Sequence, residues 1–385
     1  GVGGVRAAPR VAMALGAAAR RPRLTADAPL EALLGGDVAL CDLLRARKVK
    51  TAQELLYTPP WELRDWLLIS EAEAAAVLGR AWAACAAPAA SAWDALAATG
   101  GSLVPSPLGK LNEALGGSLS GAFVEAAGPP GAGKTQLCLH VAALTAAAGG
   151  EVFWLDAERT FSPPRVLELL QAVCRMRATA GSGGGAYDPE AAALAALQRI
   201  RRRVCGSLQE LHGLVADLLQ RAQHGDVLPA LLVVDSIAAL ARNTGDAMAN
   251  HHNLIPQRQR ALNALAGLLK MLAATPIAPD SSTPPGILVT NQVMGDPTSG
   301  GSKVALGAVW HHAVNWRLVL SYLPPGDTRG HGTRERAADN HRFLHVEKSS
   351  CAGALTIRYA ITPGGLQEVG TMGQGEPPPG RWAAG

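Results

Sequence analysis

Gly128-Pro-Pro-Gly-Ala-Gly133-Lys134-Thr135 constrains this chain more than any other stretch, because it joins an apolar run, Gly121–Ala127, to a helical run beginning at Thr135. Every fixed position of G-x-x-x-x-G-K-[ST] is filled. The glycines let successive backbone N–H groups turn inward, and the first turn of the following helix adds partial positive charge, so the segment makes a cradle for phosphates. Gly128, Pro129, Pro130, Gly131, Ala132 and Gly133 form the expected cradle. Lys134 is expected to reach the β- and γ-phosphates and the Thr135 hydroxyl to hold Mg²⁺.

The pattern around this motif predicts an α/β core. Val152–Asp156, Leu231–Asp235 and Ile287–Asn291 are short apolar runs of the kind found in buried parallel strands, and Ile200–Cys205 is a further candidate. Between them lie helical stretches: Pro164–Cys174, a run capped by Ser207-Leu-Gln-Glu210, and one with Leu262, Leu265, Leu269 and Leu272 on one face. Asn315–Leu323, Phe343–Glu347 and Leu355–Ile361 read as antiparallel strands. The expectation over 108–370 is a parallel sheet with helices on both faces and a C-terminal antiparallel extension. Ahead of it, 28–86 reads as a small all-α domain, with capping boxes Thr51-Ala-Gln-Glu54 and Ser70-Glu-Ala-Glu73. An Ala-, Pro-, Gly- and Ser-rich linker fills 87–107, and Ala178–Asp188, Thr275–Pro285 and Pro324–Asn340 read as loops. A basic tail, 1–27, and a C-terminal tail, 371–385, are expected to be disordered.

Composition closes off several classes. A chain that is 48% hydrophobic and 17% charged is globular rather than disordered. The net charge is +4, yet Arg6, Arg10, Arg20, Arg21 and Arg23 supply +5 with no acid before residue 26. The rest therefore carries −1, the difference of the two, which argues against a broad basic surface and leaves polynucleotide contact to local loops. That arginine run lacks the serines of a transit peptide, and the chain opens on Gly1 rather than Met, which leaves room for an upstream start. No uncharged apolar run approaches the ~18 residues of a membrane span. Six scattered cysteines, without a C-x-x-C, make neither a disulfide framework nor a zinc site.

Three further strand ends carry candidate chemistry. Asp235, closing Leu231-Leu-Val-Val-Asp235, is placed to hold the Mg²⁺ shell beside the cradle. Leu155-Asp156-Ala157-Glu158 closes a strand expected next to the first, where Glu158 would orient or deprotonate water; from spacing alone, Asp156 or Glu158 serves equally as a helix cap. Gln292, in Thr290-Asn291-Gln292, is either a sensor of the γ-phosphate or a maker of turn hydrogen bonds.

These four motifs, GPPGAGKT, LDAE, LLVVDS and VTNQ, occur in an order that resembles the RecA-like recombinase core, and the preceding helical domain resembles its eukaryotic and archaeal branch. Similarity to the paralogue branch rests on Leu115-Gly116-Gly117, Gly128–Cys138, Leu155–Phe161 followed by Ser162, Ala305–Leu318, and Glu347-Lys348-Ser349, within about Ala39 to Gly370. The resemblance implies Lys134 and Thr135 at the phosphates of ATP and at Mg²⁺, with Asp235 on the metal shell. It also implies Glu158 as catalytic glutamate, Gln292 as nucleotide sensor and His312 near the nucleotide of a neighbouring subunit. Two DNA-facing loops map to about Arg242–Arg260 and Val293–Leu306. The first offers Arg242, His251, His252, Arg258 and Arg260; the second offers Lys303 against Asp296, with no aromatic to stack on a base.

Two departures separate the chain from self-polymerising recombinases. Trp66-Leu-Leu-Ile69-Ser70 lacks the glycines of the family's DNA-approaching hairpin, and Lys348 stands where filament formers carry an Asp. The resemblance thus implies a weakly hydrolysing, ATP-binding mediator of homologous recombination repair of double-strand breaks. It would act in the nucleus on single-stranded and branched DNA. Its implied partners are other RecA-like paralogues in a hetero-oligomer, a C-type paralogue foremost, and the main recombinase. The alternatives are a self-assembling strand-exchange recombinase and an ATP-binding scaffold without turnover.

Overall fold

The computed structural model describes residues 30–31, 38–56, 58–85, 104–179, 187–243, 251–295, 302–322 and 341–369. The two tails, most of the linker, and all or part of the loops at 178–188 and 324–340 lie outside the described residues. The chain divides into two compact units, Gly1–Asp94 and Ala95–Gly385.

The first unit holds α1 (Val38–Ala46), α2 (Ala52–Leu56), α3 (Pro60–Leu67) and α4 (Glu71–Cys85). Leu30, Cys41, Leu44, Leu55, Leu63, Ala74 and Val77 make its core. Both capping boxes form. Glu54 N–H donates to Thr51 Oγ1 and Thr51 N–H to Glu54 Oε2, each at 3.2 Å. Ser70 N–H donates to Glu73 Oε2 at 2.9 Å and Glu73 N–H returns to Ser70 Oγ at 3.3 Å. In the glycine-free stretch after α3 the chain nevertheless turns through the left-handed region, at Leu68 (φ 53°), whose side chain is 92% exposed.

The second unit runs α5 (Gly109–Ala114), β1 (Phe123–Gly128), α6 (Lys134–Ala147), β2 (Val152–Asp156), α7 (Pro163–Thr179), α8 (Pro189–Leu197) and β3 (Ile200–Val204). There follow α9 (Leu208–Gln223), β4 (Leu231–Asp235), α10 (Ile237–Asn243), α11 (His251–Ala274), β5 (Gly286–Gly295) and β6 (Ser302–Val304). The unit closes with α12 (Gly307–Ala313), β7 (Trp316–Ser321), β8 (His341–Lys348), β9 (Leu355–Thr362) and β10 (Gly365–Glu368). It starts inside the Ala- and Pro-rich stretch: Val104 is fully buried and its carbonyl accepts from Leu119 N–H at 2.8 Å.

Nine strands form one sheet in the order β10-β9-β8-β7-β1-β5-β4-β2-β3, and β6 pairs with the end of β5. From β7 to β3 all neighbours are parallel; β8, β9 and β10 add antiparallel strands. One apolar cluster packs α6 and α7 on one face, and a second packs α9, α10 and α11 on the other. Every residue of β1 and β4 is buried, as two-sided cover requires.

Three sequence expectations are corrected here. Asn315–Leu323 contributes β7, which runs parallel to β1, so the antiparallel extension begins only at β8. The strand of Glu158 does not neighbour β1, because β5 and β4 are inserted between them by crossovers. The stretch Arg242–Arg260 is not a continuous loop: α10 ends it on one side and the first turns of α11 on the other.

One charge lies at the centre of the sheet. Glu125 of β1 is fully buried, and its charge is met by Arg317 of β7, whose Nε donates to Oε2 at 2.5 Å. Asn291 Nδ2 (2.7 Å) and Trp310 Nε1 (2.9 Å) both donate to Oε1, so β1, β5, β7 and α12 meet at one carboxylate.

Candidate nucleotide site

The four motif-bearing strands deliver their polar residues to one edge of the sheet. Gly128 pairs with Gln292 across β1 and β5, and Asp156 pairs with Asp235 across β2 and β4, all at carboxyl ends. Chain reversal from β1 into α6 depends on glycine. Gly133 adopts φ 104° immediately before Lys134, and a Cβ at Gly128 would stand 2.3 Å from the Leu320 carbonyl oxygen.

Lys134 Nζ is folded back onto the loop, donating to the carbonyls of Gly128 (2.8 Å) and Pro129 (2.9 Å). Burial lowers its pKa, and the charges of Asp235 and Glu158 oppose that shift. Thr135 Oγ1 donates to Asp235 Oδ2 at 2.9 Å, and Thr290 Oγ1 to Asp235 Oδ1 at 2.5 Å. Burial raises the Asp235 pKa and both threonine hydrogen bonds lower it; the charges of Glu158 and Asp156 push it up again.

The neighbouring carboxylates have separate surroundings. Asp156 is fully buried; it receives Thr160 N–H at 3.0 Å and Phe161 N–H at 3.3 Å, and pairs with Arg202 at 2.8 Å. Those contacts organise the turn after β2. Glu158 instead accepts from the Ser236 hydroxyl after β4 and, at 3.4 Å, from Gln292 Nε2 of β5. Spacing left the two carboxylates level; their partners separate them.

A second set of contacts, unsignalled in the sequence, reaches the cradle from the β7, β8 and β9 strands of the sheet. Tyr322 OH donates to the Pro130 carbonyl (3.0 Å), Tyr359 OH to Ala132 (2.6 Å) and Arg342 Nε to Gly131 (3.3 Å). These partners lie about two hundred residues along the chain from the loop, so no local pattern announces them. Beside the cradle opens a cavity of about 580 Å³, whose lining includes Gly131, Gly133, Lys134, Thr135, Arg165 and Arg342. Arg165 is already committed: it donates to the carbonyls of Thr362 and Pro363, both at 2.7 Å, and pairs with Glu168.

For Mg²⁺ the donor set fits. A threonine hydroxyl and a carboxylate are hard oxygen ligands, and the carboxylates crowding Asp235 favour a cation there. Among the described residues no group of three or more His, Cys, Asp or Glu is disposed to hold a metal ion unaided.

Comparisons with known proteins agree with this geometry. No family model matches the chain. It is 29% identical over 366 residues to "DNA repair protein RAD51 homolog 2" of Mus musculus, covering 85% of this chain and 94% of the relative. It is 28% identical over 349 residues to "DNA repair protein RAD51 homolog 4" of Mus musculus, covering 88% and 92%. It is 29% identical over 272 residues to "DNA repair and recombination protein RadB" of Halobacterium salinarum, covering 68% and 94%. The chain resembles the RAD51 paralogues of the RecA-like family.

The remaining residues expected to be functional lie on other elements. Arg242, expected at DNA, is exposed at the end of α10; it donates to Gln292 Oε1 at 2.7 Å and stands 4.0 Å from Glu158. Arg258 and Arg260 are exposed on α11, and Lys303 lies in β6 opposite Met294. His312 is exposed in the last turn of α12, its ring 5.6 Å from that of His311. Lys348 caps that helix, donating to the carbonyls of His311 (2.9 Å), His312 (3.2 Å) and Val314 (2.8 Å). Among the described residues, no helix is long and apolar enough to cross a membrane.

Proposed function

We propose that this chain binds ATP with Mg²⁺ in the Gly128–Thr135 cradle, hydrolyses it slowly, and works as a recombination-mediator subunit. The observation that carries the reading is the junction of Thr135 with Asp235 at 2.9 Å, within a cluster that also holds Lys134 and Glu158. The inward N–H groups of the cradle bind the polyphosphate, and Lys134 exchanges its two carbonyl acceptors for phosphate oxygens. Thr135 and Asp235 hold Mg²⁺, which neutralises charge on the β- and γ-phosphates when bound. Glu158 orients a water and takes its proton as the water oxygen bonds to the γ-phosphorus and the bond to the ADP oxygen breaks. Gln292, hydrogen-bonded to both Glu158 and Arg242, links the γ-phosphate position to α10. Arg242, 4.0 Å from Glu158, adds a cation beside Lys134.

The names of the relatives support a role in DNA repair and recombination. The mediator role extends from them to assembly with other RecA-like paralogues, a C-type paralogue foremost, and with the main recombinase on single-stranded and branched DNA in the nucleus. Arg242, Arg258, Arg260 and Lys303 are the proposed DNA contacts and His312 the proposed contact to a neighbouring nucleotide. The test is affinity capture from the native source with and without ATP and Mg²⁺. Nucleotide-dependent recovery of other RecA-like chains supports the proposal; recovery of this chain alone in long self-assemblies contradicts it in favour of a strand-exchange recombinase.

A further inference from the structure

We propose that Thr290 is a positioning residue of the Mg²⁺ site: its hydroxyl occupies one oxygen of the Asp235 carboxylate and so dedicates the other to the metal. This rests on the Mg·ATP reading above. Thr290 lies in β5, one residue beyond the Val234–Val289 pair that aligns β5 with β4, and so stands beside the last residue of β4. Thr290 is fully buried and Asp235 nearly so. Thr290 Oγ1 donates to Asp235 Oδ1 at 2.5 Å, and among the described residues it is the one side-chain donor serving that oxygen. The donors on the other oxygen are Thr135 Oγ1, at 2.9 Å, and Thr160 Oγ1, at 3.4 Å.

This division sets the direction of the carboxylate. Thr135 is the second residue of α6, directly after the cradle, so Oδ2 is the oxygen on the phosphate side. The terminal torsion of an Asp side chain is soft, and the group turns unless both oxygens are tied. A buried oxygen left without a donor is costly, so an Asp235 deprived of Thr290 would turn to share the Thr135 hydroxyl. Mg²⁺ demands near-ideal octahedral geometry, and a carboxylate turned away is lost to it as a ligand. The next residue of β5 serves the opposite side: Asn291 Nδ2 donates to Glu125 Oε1 at 2.7 Å, as strand alternation requires. Thr290 touches neither phosphate nor metal and acts through Asp235.

The test is calorimetric titration of the full chain with ATP, in EDTA and across a series of MgCl₂ concentrations, for wild type, Thr290→Val, Thr290→Ser and Thr290→Ala. Threonine against valine, and serine against alanine, are matched pairs that differ in the hydroxyl. Loss of the hydroxyl is expected to raise the Mg²⁺ concentration for half-maximal ATP binding by about 10-fold or more within each pair, the effect that partners of metal ligands carry. Affinity in EDTA is expected to stay the same. Equal Mg²⁺ midpoints within either pair of folded proteins overturn the proposal while the nucleotide reading stands. So does a loss of ATP affinity of the same size in EDTA and in Mg²⁺, which marks a strand-packing role only. If valine gives no folded protein by thermal melting, the serine and alanine variants decide. Wild type that binds ATP identically with and without Mg²⁺ overturns the proposal and the metal part of the reading, and wild type that binds no ATP overturns both entirely.

Discussion

Replacing Arg317 by methionine leaves Glu125 charged in the middle of the sheet, and the cost follows from its contacts. Glu125 is 0% exposed and the Arg317 side chain 4%. The two remaining donors, Asn291 and Trp310, both serve Oε1, so Oε2 loses the partner that stood at 2.5 Å. Breaking a buried ion pair from one side costs about 3–5 kcal/mol, and the two surviving N–H donors hold the figure near 3 kcal/mol. Arg317 also meets His311 Nδ1 and stands 3.8 Å from Glu347, contacts that disappear with it. Removing both charges in Glu125→Leu/Arg317→Met is expected to cost less than Arg317→Met alone, because no uncompensated charge is left. Urea titration read by amide hydrogen exchange in β1 and β7 isolates the second unit from the first. A loss below about 1 kcal/mol in Arg317→Met, or a double variant less stable than the single one, would refute the reasoning.

Three other outcomes are expected. Asp156→Asn lowers stability of the second unit by about 1–3 kcal/mol, since it strips charge from the Arg202 pair and two N–H bonds, whereas Glu158→Gln leaves stability unchanged and removes most ATP turnover; paired melting and phosphate-release assays decide. His140 Nδ1 accepts Leu366 N–H at 3.0 Å, and burial with the nearby Arg165 charge holds its pKa down at about 4. That folded value lies below the unfolded one of about 6.5, so the stabilisation is complete above pH 6.5 and falls away as pH drops toward 4, by about 3 kcal/mol in all; denaturation midpoints against pH should lose that slope in His140→Gln. Leu68→Gly relieves a left-handed leucine and raises the melting temperature of the first unit, by about 0.5–1 kcal/mol equivalent; a lower melting temperature would show that Leu68 is not strained.

Local signals carried much of the core and little of its assembly. The cradle and the ends of β4 and β5 are each a short continuous stretch of sequence, and an apolar run ending in a polar residue is what a parallel strand at a sheet's carboxyl edge requires. Which strands neighbour one another is decided by crossover helices, so the insertion of β5 and β4 between β1 and β2 left no mark in the residues of β2. The same holds for β7, whose alternation is compatible with either direction until Arg317 is seen opposite Glu125. Arg242 reads from sequence as a loop cation; the structure places it in the last turn of α10, where it donates to Gln292. Tyr322, Arg342 and Tyr359 belong to the cradle only through the sheet that folds them over it.

Calorimetric titration of the purified full chain with ATP in the presence of Mg²⁺, set beside Lys134→Ala, tests the central claim most directly. One ATP site per chain in wild type, weakened by 10-fold or more in Lys134→Ala, is the expected result. Absence of binding in wild type, or equal affinity in the two proteins, would contradict it.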